Sequence, residues 1–347
     1  MTKQRRADLL LIGLGNLGRR FSRLIADKHD ALLSDYGLDI RIVGAADSRG
    51  AAVSEDGLDG KEIDRIKGSG RSVGELPRYG RPGMSGIQLI DSVDAEVLCE
   101  ATPVNLQKGG EPGLSHIRRA LKKGMHVATP NKGPIVLAYK ELTGLAKENG
   151  VRLMFDGTVA GGLPAIPIGA RDLRGARIDR IEAVPNLVTG YILDLLERGI
   201  DWETALSRAR ESGALEADPS WDLEGWDAAA KLTILANAVL NAAVGIDQIE
   251  RTGIVGIDTG WLRSEGARGR RVRLLATALR EGDDRYSYKV APVSIPLDHP
   301  FAHLREKEMA ILYETDIFGT IVSIIEEETP TPSAATILRD LLAILLD

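Results

Sequence analysis

Four groups of residues carry types and spacings that could do chemistry. Gly13, Gly15 and Gly18 form a Gly-x-Gly-x-x-Gly run, with Asn16 and Leu17 between the last two. Between a strand and a helix, such a run lets the backbone turn tightly, approach a pyrophosphate and pack the helix on the strand. Asp47-Ser48-Arg49 is the second group. A carboxylate at this place accepts from an adenosine ribose and favours NAD, whereas an arginine suits the 2′-phosphate of NADP. The two cofactors stay open, with a slight preference for NADP, to which Lys67 could add charge. The third group, Thr129-Pro130-Asn131-Lys132, sets a lysine for a substrate, cofactor or proton-transfer role. The fourth comprises Glu216, Asp222, Asp227 and Lys231. Asp227 and Lys231 are four residues apart and share a helix face.

These groups need elements to hold them. Residues 9–12 are an apolar run that fits a strand buried on both faces. A helix over 19–33 and a strand over 40–46 complete a βαβ unit around the glycine turn. Residues 50–86 read as a long Gly-rich loop with a short helix near 61–67. Strands near 95–99, 126–129 and 152–155 alternate with helices near 113–123 and 134–148, which implies a doubly wound parallel α/β sheet. Lys132 then stands past a strand's C-terminal end, where ligands bind in such sheets. The second half reads as α+β, with helices over 202–212 and 226–244 and strands near 180–184, 271–279, 285–290, 309–313 and 321–325. A closing helix covers 334–346. We expect a Rossmann-type dinucleotide-binding domain over 1–155, a substrate-binding and catalytic α+β domain over 156–320, and a segment 321–347 returning to the nucleotide domain.

The helix from 226 deserves its own reading. From Leu232 to Gly245 it has no charged residue, and Asn237 and Asn241 continue the arc of Asp227 and Lys231. A solvent-facing arc of that length would hold Glu, Lys or Arg, so it reads as semi-buried. A lysine taken out of water exchanges protons nearer neutrality. The carboxylates of Glu216 and Asp227 could hold an ammonium or hydroxyl group.

Composition narrows the class. The 347 residues are 44% hydrophobic and 27% charged, enough for about two globular domains. The net charge of −6, with Lys and Arg interleaved among Asp and Glu, shows no basic stripe for nucleic acid. The single cysteine, Cys99, excludes a disulfide framework and reads as core. The first apolar run stops at Gly13, too short for a signal segment or a membrane span. A cytoplasmic protein acting on a small molecule is the expectation.

Several segments together resemble the homoserine dehydrogenase family, over roughly residues 10–342. They are Glu100-Ala101-Thr102-Pro103-Val104-Asn105, Thr129-Pro130-Asn131-Lys132, Val159-Ala160-Gly161-Gly162-Leu163-Pro164, Tyr191-Ile192-Leu193 and the stretch 216–231. The resemblance implies reversible hydride transfer between L-homoserine and L-aspartate 4-semialdehyde, in amino-acid biosynthesis, with NADP or NAD. It places Thr102 and Pro103 at the nicotinamide. Lys231 and Lys132 would flank the reacting oxygen and handle its proton, while Asp227 and Glu216 hold the substrate hydroxyl and α-ammonium. It also implies a monovalent cation such as sodium near Asp156, Val159 and Gly161, and a homodimer through the second-domain sheet.

The chain departs from the family pattern in three places. Leu187 and Gly190 stand where a Gly and an Asn are usual in the substrate-binding loop 186–191. Glu326-Glu327-Glu328 replaces Gly-Ala-Gly near the cofactor, and a Gly and an Asn are missing within 305–309. These departures leave two alternatives, a paralogue acting on another small hydroxy acid or aldehyde and a non-catalytic nucleotide-binding protein. No ACT-type regulatory domain follows Asp347, so feedback control through one is not expected.

Overall fold

In a computed structural model, residues 4–211, 219–282 and 285–346 are described. The chain forms two compact units, residues 1–158 with 329–347, and residues 159–328. The first division thus falls three residues beyond the expected one. The return begins at 329 rather than 321, because 319–326 is a strand of the second unit.

The first unit is built on β1 (Arg5–Ile12), α1 (Asn16–Tyr36) and β2 (Leu38–Asp47). Next come β3 (Gly50–Val53), α2 (Gly60–Gly68), β4 (Gly80–Pro82) and α3 (Gly86–Ser92). The remainder is β5 (Val97–Glu100), α4 (Gly113–Lys122), β6 (His126–Ala128), α5 (Lys132–Glu148) and β7 (Leu153–Met154), with the C-terminal helix Thr331–Leu346. The sheet order is β4-β3-β2-β1-β5-β6-β7. From β2 to β7 the pairs are parallel, as the alternation of strands and helices requires. Helix α1 packs on α2 and the C-terminal helix, and α4 packs on α3 and α5. Leu9, Leu11, Phe21, Ile42, Ile337 and Leu341 lie in one core cluster. Burying a side chain such as Phe21 contributes about 1.5–3 kcal/mol.

The expected loop over 50–86 is largely ordered structure. Strand β3 adds to the sheet antiparallel to β2 and β4 antiparallel to β3, and α3 was not anticipated. The glycines explain this. A Cβ on Gly50 would lie 3.0 Å from the Gly74 Cα, and one on Gly80 would lie 2.3 Å from the Gly74 carbonyl oxygen. They permit close backbone approach between short strands, which composition alone presents as loop.

The second unit contains α6 (Ala165–Pro167), β8 (Ile178–Val184), α7 (Leu187–Glu197), α8 (Trp202–Glu211), α9 (Ser220–Leu223), α10 (Trp226–Leu240), β9 (Glu250–Arg251) and α11 (Thr259–Ala267). Strands β10 (Arg270–Arg280), β11 (Tyr286–Pro296), β12 (Glu308–Thr315) and β13 (Gly319–Glu326) follow. Its sheet runs β13-β12-β8-β10-β11-β9. Ala310 and Ala276 pair with Val184 and Ala183, so the start of β12 and the middle of β10 lie beside the end of β8. Val184, Leu275, Ile295, Phe301 and Leu312 form its core cluster.

Two local expectations change here. The loop expected over 186–191 is mostly the first turn of α7. Asn186 caps that helix by accepting from the Thr189 N–H at 3.2 Å, and Val188, Ile192, Leu193, Leu195 and Leu196 are buried along it. The helix expected over 226–244 stops at Leu240. Asn241 takes a left-handed conformation, and the Asn237 amide bonds both the N–H and the carbonyl of Val244. Asn237 and Asn241 therefore close the helix instead of prolonging a polar arc. Among the described residues no helix is long and apolar enough to cross a membrane.

Candidate active site

In the first unit the glycine turn excludes a side chain at two of its three glycines. Gly13 has φ +93°, and a Cβ there would sit 2.3 Å from the Ala101 carbonyl carbon and the Thr102 nitrogen. A Cβ on Gly18 would sit 1.9 Å from the Gly13 oxygen, so only glycine lets α1 pack on the turn. A Cβ on Gly15 would meet nothing within 4 Å, so the turn is open at that point. Helix α1 starts at Asn16 with no side chain capping it and no acid in its first turn. Its free N–H groups and positive dipole end suit a phosphate. Gly15 and Asn16 are exposed and Leu17 is half-buried. The residues present therefore fit a dinucleotide.

Asp47 ends β2, as expected, but its carboxylate is already engaged. It accepts from Lys67 Nζ at 2.7 Å, the Ser72 hydroxyl at 2.8 Å, and the N–H groups of Arg49 and Val73 at 2.9 and 3.1 Å. Burial pushes its pKa up. Lys67, with the Arg49 N–H, the Ser72 hydroxyl and the Val73 N–H, outweighs burial and holds it below the usual carboxylate range. Ser48 and Arg49 are exposed at this edge, and the Arg49 guanidinium donates to the Gly70 carbonyl at 2.7 Å.

Thr102 and Pro103 follow β5, half-buried and exposed respectively. Lys132 is the first residue of α5 and half-buried. Asn131 caps that helix through the Gly133 N–H at 3.2 Å and donates from Nδ2 to Glu100 Oε2 at 3.1 Å. The turn carrying Lys132 is thus tied to the end of β5.

In the second unit, Lys231 and Asp227 meet on α10 as their spacing requires. Lys231 Nζ lies 2.7 Å from Asp227 Oδ2 and donates to the Pro185 carbonyl at 2.6 Å. The side chains are 14% and 5% exposed, so this is not a solvated surface pair. An ammonium has three donors, so one remains for a substrate oxygen. Asn186 Nδ2 donates both to Asp227 Oδ2 at 2.8 Å and to Asp222 Oδ1 at 2.7 Å, holding two carboxylates near one point. Trp221 and Trp226, each next to one of these acids, stack at 5.5 Å, and the Arg251 guanidinium lies 3.7 Å over Trp226. Such a brace fixes the turn between α9 and α10. Glu216 lies outside the described residues.

Glu327 is buried, and its Oε2 lies 1.9 Å from where a Cβ on Gly161 would be. Glu326 pairs with Arg305 at 3.1 Å. The Glu326–Glu328 run is therefore not a cluster of free charge. Asp156 pairs with Arg339, and its N–H donates to Asp340 at 3.0 Å. Val159 is buried, and Gly161 has φ +53°. Among the described residues no group of three or more His, Cys, Asp and Glu could hold a metal ion.

Asn186, the Pro185 carbonyl and Glu100 were given no role of their own by the sequence. Asp222, grouped with Asp227 and Lys231 from the sequence, is joined to Asp227 through Asn186.

The profile of the homoserine dehydrogenase NAD-binding domain matches residues 13–156, and that of homoserine dehydrogenase itself matches residues 164–342. The homoserine dehydrogenase of Methanocaldococcus jannaschii is 35% identical over 97% of this chain and 98% of its own length. The NAD(+)-dependent homoserine dehydrogenase of Pseudomonas canavaninivorans is 31% identical over 97% and 95%. Among solved structures, a putative homoserine dehydrogenase from Archaeoglobus fulgidus has a TM-score of 0.86 and 30% identity, covering 97% of this chain and 99% of that one. A hyperthermophilic archaeal homoserine dehydrogenase in complex with NADPH has a TM-score of 0.85 and 26% identity, covering 99% and 98%.

Proposed function

The chain belongs to the homoserine dehydrogenase family, and from that premise we propose that it interconverts L-homoserine and L-aspartate 4-semialdehyde. The observation that carries this reading is the semi-buried Lys231–Asp227 pair, anchored on the Pro185 carbonyl with one ammonium donor left over. A bound nicotinamide supplies or accepts the hydride. Lys231 gives its remaining proton to the substrate oxygen as aldehyde becomes alcohol, and takes it back in oxidation. Asp227 keeps that ammonium oriented and, with Asp222 and Asn186, offers acceptors to the substrate hydroxyl and α-ammonium. Glu216 shares the α-ammonium and Lys132 shares the proton handling, roles that the family resemblance supports.

For the cofactor, we propose that Gly13, Gly15, Asn16, Leu17 and Gly18 hold the pyrophosphate and Thr102 and Pro103 border the nicotinamide. We further propose a preference for NADP. Four protein donors occupy Asp47, and Lys67 balances its charge, so it competes poorly for a ribose hydroxyl. Exposed Arg49 remains for a 2′-phosphate.

A homodimer through the second-unit sheet is also proposed. Edge strand β13 exposes Val322 and Ile324, and the preceding turn exposes Ile317 and Phe318. Light scattering should give twice the chain mass for the wild type and the chain mass for Ile324→Lys. A cytoplasmic site follows from the biosynthetic role.

Purified protein tested with homoserine and both cofactors, followed by nicotinamide absorbance, decides the main reading. Turnover with homoserine is expected, faster at low cofactor with NADP. Cofactor binding without turnover at millimolar homoserine would overturn it, and turnover of another hydroxy acid instead would establish the paralogue reading.

A further inference from the structure

Glu100, the last residue of β5, is fully buried, yet it is a carboxylate. Its Oε1 accepts from the Thr102 N–H at 3.1 Å and from the Thr102 hydroxyl. Its Oε2 accepts from Asn131 Nδ2 at 3.1 Å, and Asn131 Nδ2 also donates to the Thr102 hydroxyl oxygen at 3.2 Å. The backbone carbonyl of Glu100 accepts from the Thr129 hydroxyl at 2.8 Å, and that hydroxyl accepts from the Asn131 N–H at 3.0 Å. One residue therefore ties two loops, the segment after β5 and the turn before α5.

The surroundings leave the network no slack. A Cβ on Gly113 would lie 2.5 Å from Asn131 Nδ2 and 3.1 Å from both Glu100 Oε2 and the Thr102 hydroxyl. His116 comes within 3.5 Å of Glu100 Oε1 with its Nδ1, an atom hydrogen-bonded to no described residue. Every polar group facing the Glu100 side chain can donate, so an acceptor-only carboxylate is what the site demands. If filling the core were its sole task, an apolar side chain of similar volume would do as well or better.

We infer that Glu100 is a positioning residue, which sets Thr102 and Pro103 against the nicotinamide and fixes the Asn131–Lys132 turn through the same carboxylate. The inference rests on the proposed reading of Thr102, Pro103 and Lys132. Glu100 touches neither ligand; it acts through Thr102 and Asn131. Its effect belongs at the nicotinamide end, because the Gly13–Gly18 turn and Arg49 are the groups proposed for the pyrophosphate and the 2′-phosphate.

The test uses Glu100→Gln, which keeps the shape but turns an amide NH2 toward a donor, and Thr102→Val, which removes the hydroxyl from a half-buried site. Three readouts are taken. They are amide exchange of peptides over 101–105 and 129–133 without ligand, the affinities for NADPH and for 2′-phospho-ADP-ribose, and kcat. For Glu100→Gln, exchange in both peptides should rise by about 10-fold. NADPH affinity should fall by about 10-fold, with affinity for the nicotinamide-free fragment unchanged. kcat should fall by about 10²-fold. The double variant should be little worse than Glu100→Gln alone. Equal losses of both affinities would show a merely structural role and overturn the inference, as would exchange and kcat at wild-type values. If Glu100→Gln does not fold, Thr102→Val decides, since wild-type exchange and NADPH affinity in that variant would equally overturn it. If the wild type turns over no homoserine, the substrate reading fails, while exchange and the contrast between the two ligands still judge Glu100.

Discussion

Asn186→Ala should weaken the second unit and the reaction together. The side chain does three jobs. Its Oδ1 caps α7 through Thr189, and its Nδ2 donates to Asp227 and to Asp222. Loss of a helix cap costs about 1 kcal/mol. A hydrogen bond to a charged acceptor contributes about 1.5–3 kcal/mol, and Asp227 retains Lys231 while Asp222 is half-buried, so the lower figure applies. The two carboxylate oxygens also sit within reach of one nitrogen, and without its N–H groups their repulsion is less compensated. The total loss should be about 4 kcal/mol. Intrinsic fluorescence in a urea titration reads this cleanly, because all four tryptophans, Trp202, Trp221, Trp226 and Trp261, belong to the second unit. With Asp227 less constrained, kcat should fall by about 10-fold or more. A loss under about 1 kcal/mol with kcat unchanged would refute the claim that Asn186 organises the two acids.

Three further outcomes are expected. Asp340 is fully buried; burial and the nearby Asp156 carboxylate raise its pKa well above the carboxylate range, so the native state keeps a proton that the unfolded chain has released. Stability therefore falls as pH rises from the ordinary carboxylate range toward that raised value, and Asp340→Asn should raise Tm near pH 8 and leave it unchanged near pH 4, as scanning calorimetry would show. Burial pushes the Cys99 thiol far up, so an aromatic disulfide reagent should titrate no thiol in native protein and one after unfolding. Arg49→Ala should weaken NADP+ binding by about 10-fold or more while changing NAD+ binding less, measured by titration at one fixed salt concentration.

Much of the site was legible where its constraint is local. The glycine run declares itself because Gly13 and Gly18 admit no side chain, and Asp227 and Lys231 declare themselves because a helix brings every fourth residue together. What stayed hidden depends on partners remote in sequence. Asp47 looks like a free ribose ligand until Lys67 and Ser72, 20 and 25 residues on, close over it. Asn186 reads as a loop residue, and only the fold sets it against acids 36 and 41 residues away. The second-unit helix was overrun for a related reason. Asn237 and Asn241 look like one polar arc, but the first bonds Val244 and the second takes φ +54°, so both end the helix. Strands β3 and β4 were missed because glycines that serve close approach have the same composition as glycines that serve a loop.

The most direct test of the account is Lys231→Met, which keeps the length and apolar body of the side chain and removes its proton. With NADPH affinity measured alongside, the account predicts a fall in kcat of about 10²–10⁴-fold, with cofactor binding unchanged, since the glycine turn proposed to bind cofactor belongs to the other unit. Turnover of homoserine near the wild-type rate would contradict it.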